Sequence, residues 1–153
     1  MGRDKPTQRP LDDLAEWSPW APWAEAVMSA PRLPGVYVIR SRGEVVYVGM
    51  AGERSGNGLM GRLARYHSGK AAASGFGEAA LDRALADAVF VRCRLAELES
   101  GRTLRAVGWA KAAIAACEPE LSWTVTPDRE TALVLETAVV DGLRSAGVTL
   151  WNR

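Results

Sequence analysis

The run PGVYVIRSRGEVVYVG, residues 34–49, constrains the fold of this chain more than any other stretch. Two β-rich runs, 35–40 and 44–49, flank a short polar turn, which is the pattern of a β-hairpin. The register decides which side chains meet. With Ser41-Arg42-Gly43 as the loop, Gly43 takes the left-handed position of a three-residue turn with a bulge. Arg40 then faces Glu44, and Tyr37 faces Tyr47 on one side of the sheet. A two-residue Arg42-Gly43 loop instead sends the two tyrosines to opposite faces. Gly43 at the third loop position favours the first register.

A glycine-rich loop, 49–58, follows the hairpin and leads into a helix over about 58–67. A phosphate-binding nucleotide loop is excluded, because that pattern needs G-x-x-x-x-G-K-[ST] and no glycine here precedes Lys-Ser or Lys-Thr. Further on, EAALDRALADAVFVRCRLAELES reads mainly as helix, although AVFVRCRL alone also suits a strand. A helix in TLRAVGWAKAAIAACE and a strand over 120–126 come next. Thr126 is placed to cap a last long helix, with Pro127 at its first position and Asp128 in its first turn. That helix is expected to run to Ser145 and stop near Gly147. Residues 1–33 read as a Trp/Pro-rich lead in which Trp17, Trp20 and Trp23 pack onto the core, and residues 34–153 as the main domain.

The 153 residues are 48% apolar, which suits a folded globular domain. No apolar run reaches membrane-spanning length and the first residues lack an apolar signal core, so a cytoplasmic protein without a membrane is expected. Cys93 and Cys117 have no metal-like spacing and read as buried, reduced thiols. The net charge is only +1, but residues 31–70 hold seven basic side chains against Glu44 and Glu53. A basic face on a nearly neutral protein suits a polyanion such as nucleic acid, beside the plainer role of solvating a surface.

On the last long helix, Ala132, Leu133, Leu135, Val139, Val140 and Leu143 form the inward stripe, and Glu136 sits within it. A carboxylate on an apolar face is costly unless it is ion-paired or binds a metal. On the helix at 58–67, Arg62 and Tyr66 share one edge. His67 falls back towards Met60 and Leu63, a boundary position. Arginine together with a carboxylate-held metal suits a phosphate oxyanion, since both offset developing negative charge. Tyrosines position or deprotonate a water.

With these parts in place, the sequence resembles the GIY-YIG nucleases. The two motifs of the family's name correspond to Gly35-Val36-Tyr37 and Tyr47-Val48-Gly49. The helix arginine corresponds to Arg62 in RLARY, the metal-binding glutamate to Glu136 in ETALVLETAVV, and the terminal asparagine to Asn152 in LWN. The resemblance spans about 34–152, and its weight lies in five short motifs in the right order. It implies an α+β fold, a small three-stranded antiparallel sheet flanked by helices, with a helical insertion over about 78–118 before the third strand. It also implies metal-dependent endonuclease activity on DNA phosphodiesters. Glu136 would hold one divalent ion, magnesium or manganese, and Tyr37 would be the foremost base or water-positioning group with Tyr47 assisting. Arg62 would clamp the phosphate, Tyr66 would stand at the family's His-or-Tyr position, and Asn152 would brace the site. Gly49, Arg54, Arg65, His67 and Lys70 form the expected contact set for duplex or branched DNA, bound by a monomer or a homodimer. Met50 departs from the Lys or Ser frequent at that point, and the loop from Gly49 to Arg62 is long for the family. A catalytically silent nucleic-acid-binding module of the same fold is the alternative.

Overall fold

The computed structural model describes residues 7–52 and 57–153, so Arg54 of the expected DNA-contact set lies outside the described residues. The order is α1 (Gln8–Asp12), β1 (Ala21–Pro22), α2 (Trp23–Ser29), β2 (Gly35–Ser41), β3 (Glu44–Ala51), α3 (Gly58–His67), α4 (Gly75–Leu85), α5 (Ala88–Glu99), α6 (Ala106–Ala116), β4 (Pro119–Val125) and α7 (Arg129–Ser145). This is an α+β chain, and the stretch expected as a helical segment over 78–118 is the three helices α4–α6. The sheet has four antiparallel strands in the order β1-β4-β2-β3, not three. The additional strand is Ala21–Pro22, which pairs with Leu121 and Glu120 at the sheet edge. Two residues ending in proline carry no readable alternation, and an edge is where a strand tolerates proline.

The hairpin corrects the expected register. Ser41 pairs with Glu44, so the loop is the two residues Arg42 and Gly43, with φ of 50° and 83°. Two positive φ values make the turn that matches strand twist in a two-residue hairpin. Arg42 tolerates this conformation while its guanidinium donates to the Ala116 carbonyl at 3.0 Å and pairs with Glu118 at 3.2 Å. Arg40 faces Val45, not Glu44, and forms a two-point ion pair with Glu120 on β4, both contacts at 2.9 Å. A bulge then changes the parity. Ile39 pairs with Tyr47 while Arg40 pairs with Val45, which leaves Val46 as an extra residue on β3. Tyr37 therefore lies opposite Gly49, and Tyr47 shares its face diagonally.

The sheet is covered on both sides. Tyr37, Ile39 and Leu121 face a core built with Trp23, Leu59, Leu63, Tyr66 and Phe76. Val36, Val38, Val45 and Val48 face the opposite way, against Leu11 and against Ala132, Val139 and Leu143 of α7. Trp17 and Trp20 pack on this second cluster, and Trp23 belongs to the first. Leu133, expected in the inward stripe of α7, is 47% exposed. Cys93 is exposed and Cys117 buried, both free, so only one of the two thiols is inside. Among the described residues no helix is long and apolar enough to cross a membrane.

Helix α7 starts later than the sequence suggests. Its cap is Asp128, whose carboxylate accepts from the Thr131 amide at 2.7 Å, while Thr126 donates its hydroxyl to the Asp128 carbonyl. That backbone hydrogen bond holds the Asp128 carboxyl below the usual carboxylate range, and a negative cap also suits the positive end of the helix. At the other end, Gly147 with φ of 84° and the bonds Gly147 N to Arg144 O and Val148 N to Leu143 O make a paired C-terminal cap. This turn sends residues 148–153 back to the open edge of β3, where the Trp151 amide donates to the Val46 carbonyl at 2.6 Å.

Candidate active site

The site begins with a sealed aromatic layer. Tyr37 is 0% and Tyr66 1% exposed, and their hydroxyl oxygens lie 3.0 Å apart. The Tyr66 hydroxyl also accepts from the Phe76 amide at 3.3 Å. Glycine is required where this layer meets backbone: a Cβ at Gly49 would fall on the Tyr37 hydroxyl, and one at Gly75 on the Tyr66 hydroxyl. Gly49, expected to touch DNA, thus has a packing duty of its own. Burial, followed by the nearby Tyr66 and Tyr47 hydroxyls, pushes the Tyr37 phenol well above its usual range, while Arg62 draws it partly back.

Tyr47 stands at the boundary of this layer. Its ring stacks beside Tyr37 at 6.4 Å and against Phe76 at 5.6 Å. It also lines an open cavity of about 570 Å³ with Glu136, Glu78, Asp82, Trp151 and Asn152. Burial, then Tyr66, raises the Tyr47 phenol, Arg62 lowers it, and Glu136 raises it again. Tyr47 of β3 and Glu136 of α7 thus line one cavity, and the charge of Arg62 on α3 acts on both. Asn152 holds the strand beside them. Its amide oxygen accepts from the Val48 amide at 3.1 Å and its amide nitrogen donates to the Val48 carbonyl at 2.6 Å. These two bonds complete the edge of β3 immediately after Tyr47.

Glu136 is half-buried, and among the described residues it has neither a hydrogen bond nor an ion pair. Burial raises its carboxyl above the usual carboxylate range, with Arg62 opposing. The buried Glu–Arg pair that would explain such a carboxylate structurally is not formed. Its acidic neighbours differ: Glu78 and Asp82 are paired with Arg153 at 3.6 and 3.4 Å. Among the described residues no group of three or more His, Cys, Asp or Glu side chains gathers closely enough to hold a metal, and of the three carboxylates lining the cavity Glu136 is the one without an ion pair. An unpaired hard oxygen donor open to water suits magnesium, which keeps several waters and binds through one or two carboxylates.

A second, separate groove has a volume of about 280 Å³. It is lined by Arg62, Arg65 and Arg129, with Met50, Gly52 and Gly61 along its floor. The Arg62 guanidinium lies 5.7 Å from the Tyr66 ring centroid. His67 is not brought to this groove: its Nδ1 accepts from Trp23 Nε1 at 3.2 Å, and its ring lines a separate apolar cavity with Ile114 and Lys111. Lys70 is exposed beyond the end of α3.

A solved nuclease domain resembles this chain. It is the GIY-YIG N-terminal endonuclease domain of UvrC from Thermotoga maritima, bound to its catalytic divalent cation, magnesium. The two are 18% identical with a TM-score of 0.45, over 86% of this chain and 96% of that one. No family model and no curated protein matches the sequence.

Several members of the site carry no motif of their own. Phe76 donates to Tyr66 and stacks on Trp151 at 6.3 Å, and its only sequence signal is an aromatic between two glycines in SGFG. Arg129 joins the arginine groove because Gly52 leaves room for its stem. Neither the glycine nor the arginine announces the other across 77 positions.

Proposed function

We propose that this chain is a metal-dependent endonuclease of the GIY-YIG type that hydrolyses DNA phosphodiester bonds. The observation that carries the reading is Glu136: a half-buried carboxylate without a partner, sharing its surroundings with Tyr47 and Arg62. A module that only bound nucleic acid would be served by the arginine groove and would have no use for a desolvated, unpaired carboxylate.

In this reading Arg62 binds a non-bridging oxygen of the scissile phosphate, with Arg65 and Arg129 holding the flanking strand. Tyr47, rather than the sealed Tyr37, meets the reacting water. Its raised phenol stays protonated at neutral pH, so it orients the water or donates to a phosphate oxygen. Tyr37 and Tyr66 are positioning residues that keep the Tyr47 ring and the Arg62 guanidinium in place. Glu136 would hold one magnesium or manganese ion, which would supply water activation and offset charge on the phosphate. Asn152 keeps β3 in register beside the reacting group. Attack by water on phosphorus breaks one P–O bond and leaves a phosphate end and a hydroxyl end.

The test is incubation of purified protein with supercoiled plasmid, single-stranded, flap and branched DNA in magnesium or manganese. Nicking or cleavage that Glu136→Ala abolishes, with an unchanged circular dichroism spectrum, is expected. Intact DNA under every condition would remove the catalytic reading.

A further inference from the structure

Helix α5 is thinly packed for its twelve residues. Its one buried residue is Phe90, while Val91 is 39%, Leu95 50% and Leu98 43% exposed. Val89, 65% exposed, lies apart from these three. Ala88, Val91, Leu95 and Leu98 follow the i, i+3, i+7, i+10 spacing of a coiled-coil seam, and all four are exposed. Phe90 faces the protein from a different side of the helix, so the seam is left open to a partner. Cys93 falls on the side away from the seam.

The charges beside the seam are self-complementary. Asp87 and Arg94 flank it on one side, Arg92 and Glu99 on the other. In a parallel helix pair, a flanking residue of one copy meets the residue five positions later on its partner. That rule matches Asp87 with Arg92 and Arg94 with Glu99 of the second copy, both of opposite sign. An antiparallel pair satisfies one flank at a time, because the midpoints of Asp87–Arg94 and Arg92–Glu99 lie at different heights on the helix. Within one copy the Asp87 carboxylate caps α5 by accepting from the Val89 amide at 2.9 Å, and Arg94 is paired with Glu97 at 3.3 Å and lies over the Phe90 ring, so both side chains are held against the helix.

We propose that a second copy of this chain covers α5, the two helices lying parallel about a two-fold axis with Ala88, Val91, Leu95 and Leu98 in the seam. The same patch then serves both subunits, as a closed two-fold interface requires. A seam of two heptads is short, so the dimer is weak and concentration-dependent. The proposal stands apart from the nuclease reading, because no residue of the cleft takes part.

Sedimentation velocity of the full chain from low to high micromolar protein tests it. The wild type is expected to shift from monomer to dimer, while Leu95→Glu and Val91→Glu remain monomeric with unchanged circular dichroism. In a Cys93→Ser background, Ala88→Cys and Leu98→Cys are each expected to form same-site disulfide dimers under mild oxidation, since parallel helices align both ends. A wild type that stays monomeric throughout, a dimer untouched by Leu95→Glu, or failure of both end positions to cross-link would overturn the proposal.

Discussion

Tyr37 and Tyr47 share one face of one hairpin, yet they live in different media. Tyr37 is wholly enclosed, hydroxyl to hydroxyl with Tyr66, whereas Tyr47 reaches an open cavity beside Glu136. The difference arises from position in the sheet. β2 is an inner strand flanked by β3 and β4, and Tyr66 of α3 closes over the Tyr37 hydroxyl; β3 is the outer strand, with the returning C-terminal segment along its edge. Two residues that look equivalent in a motif are thus given unequal work: one braces, the other meets solvent.

The comparison breaks most visibly under truncation. Tyr37→Ala should empty a fully buried site and cost about 3–5 kcal/mol, as large aromatic deletions do. Urea denaturation should show a lower midpoint with little change in slope. Tyr47→Phe should separate the two roles in the other direction. Its melting temperature is expected to stay close to wild type, while DNA cleavage falls about a hundredfold or more, the scale of a lost proton-handling group. Equal loss of activity in Tyr37→Phe and Tyr47→Phe would erase the distinction. A smaller effect is expected at Gly49→Ala, where the new methyl meets the Tyr37 hydroxyl and about 1–3 kcal/mol of stability is lost through overpacking.

Glu136 gives a pH-dependent form of the same contrast. Its carboxyl is raised on folding, so its contribution to stability is fully present below the unfolded pKa and is lost as pH rises through the folded one. Glu136→Gln mimics the neutral form. Without metal and at neutral pH, its melting temperature is expected to equal or exceed that of the wild type, measured by calorimetry.

Periodicity and motif order made much of this visible in advance. The helix at 58–67, the tyrosine-bearing strands and the placement of Glu136 among apolar residues all rest on local spacing. What escaped depends on long-range geometry or on a single residue. The bulge at Val46 has no signature, yet it alone returns Tyr47 to the face of Tyr37 once the loop is two residues long. The cap at Asp128 competes with Thr126 two positions earlier, and sequence spacing does not choose between two good capping residues. The enclosure of Tyr37 follows from its strand lying inside the sheet, and strand order is not written in any one segment. His67 sits five residues beyond Arg62, and with Tyr66 it lines an apolar cavity away from the arginine groove.

The most direct measurement is a manganese titration of metal-free wild type and Glu136→Gln, followed by thermal unfolding at several pH values. A ligand that binds only the native state raises the melting temperature. The wild type is expected to gain stability with manganese, and that gain should shrink as pH falls through the raised Glu136 pKa, because protons compete for the same carboxylate. Glu136→Gln is expected to show no gain at any pH. Equal shifts in both proteins, or none in either, would contradict Glu136 as the metal-holding residue.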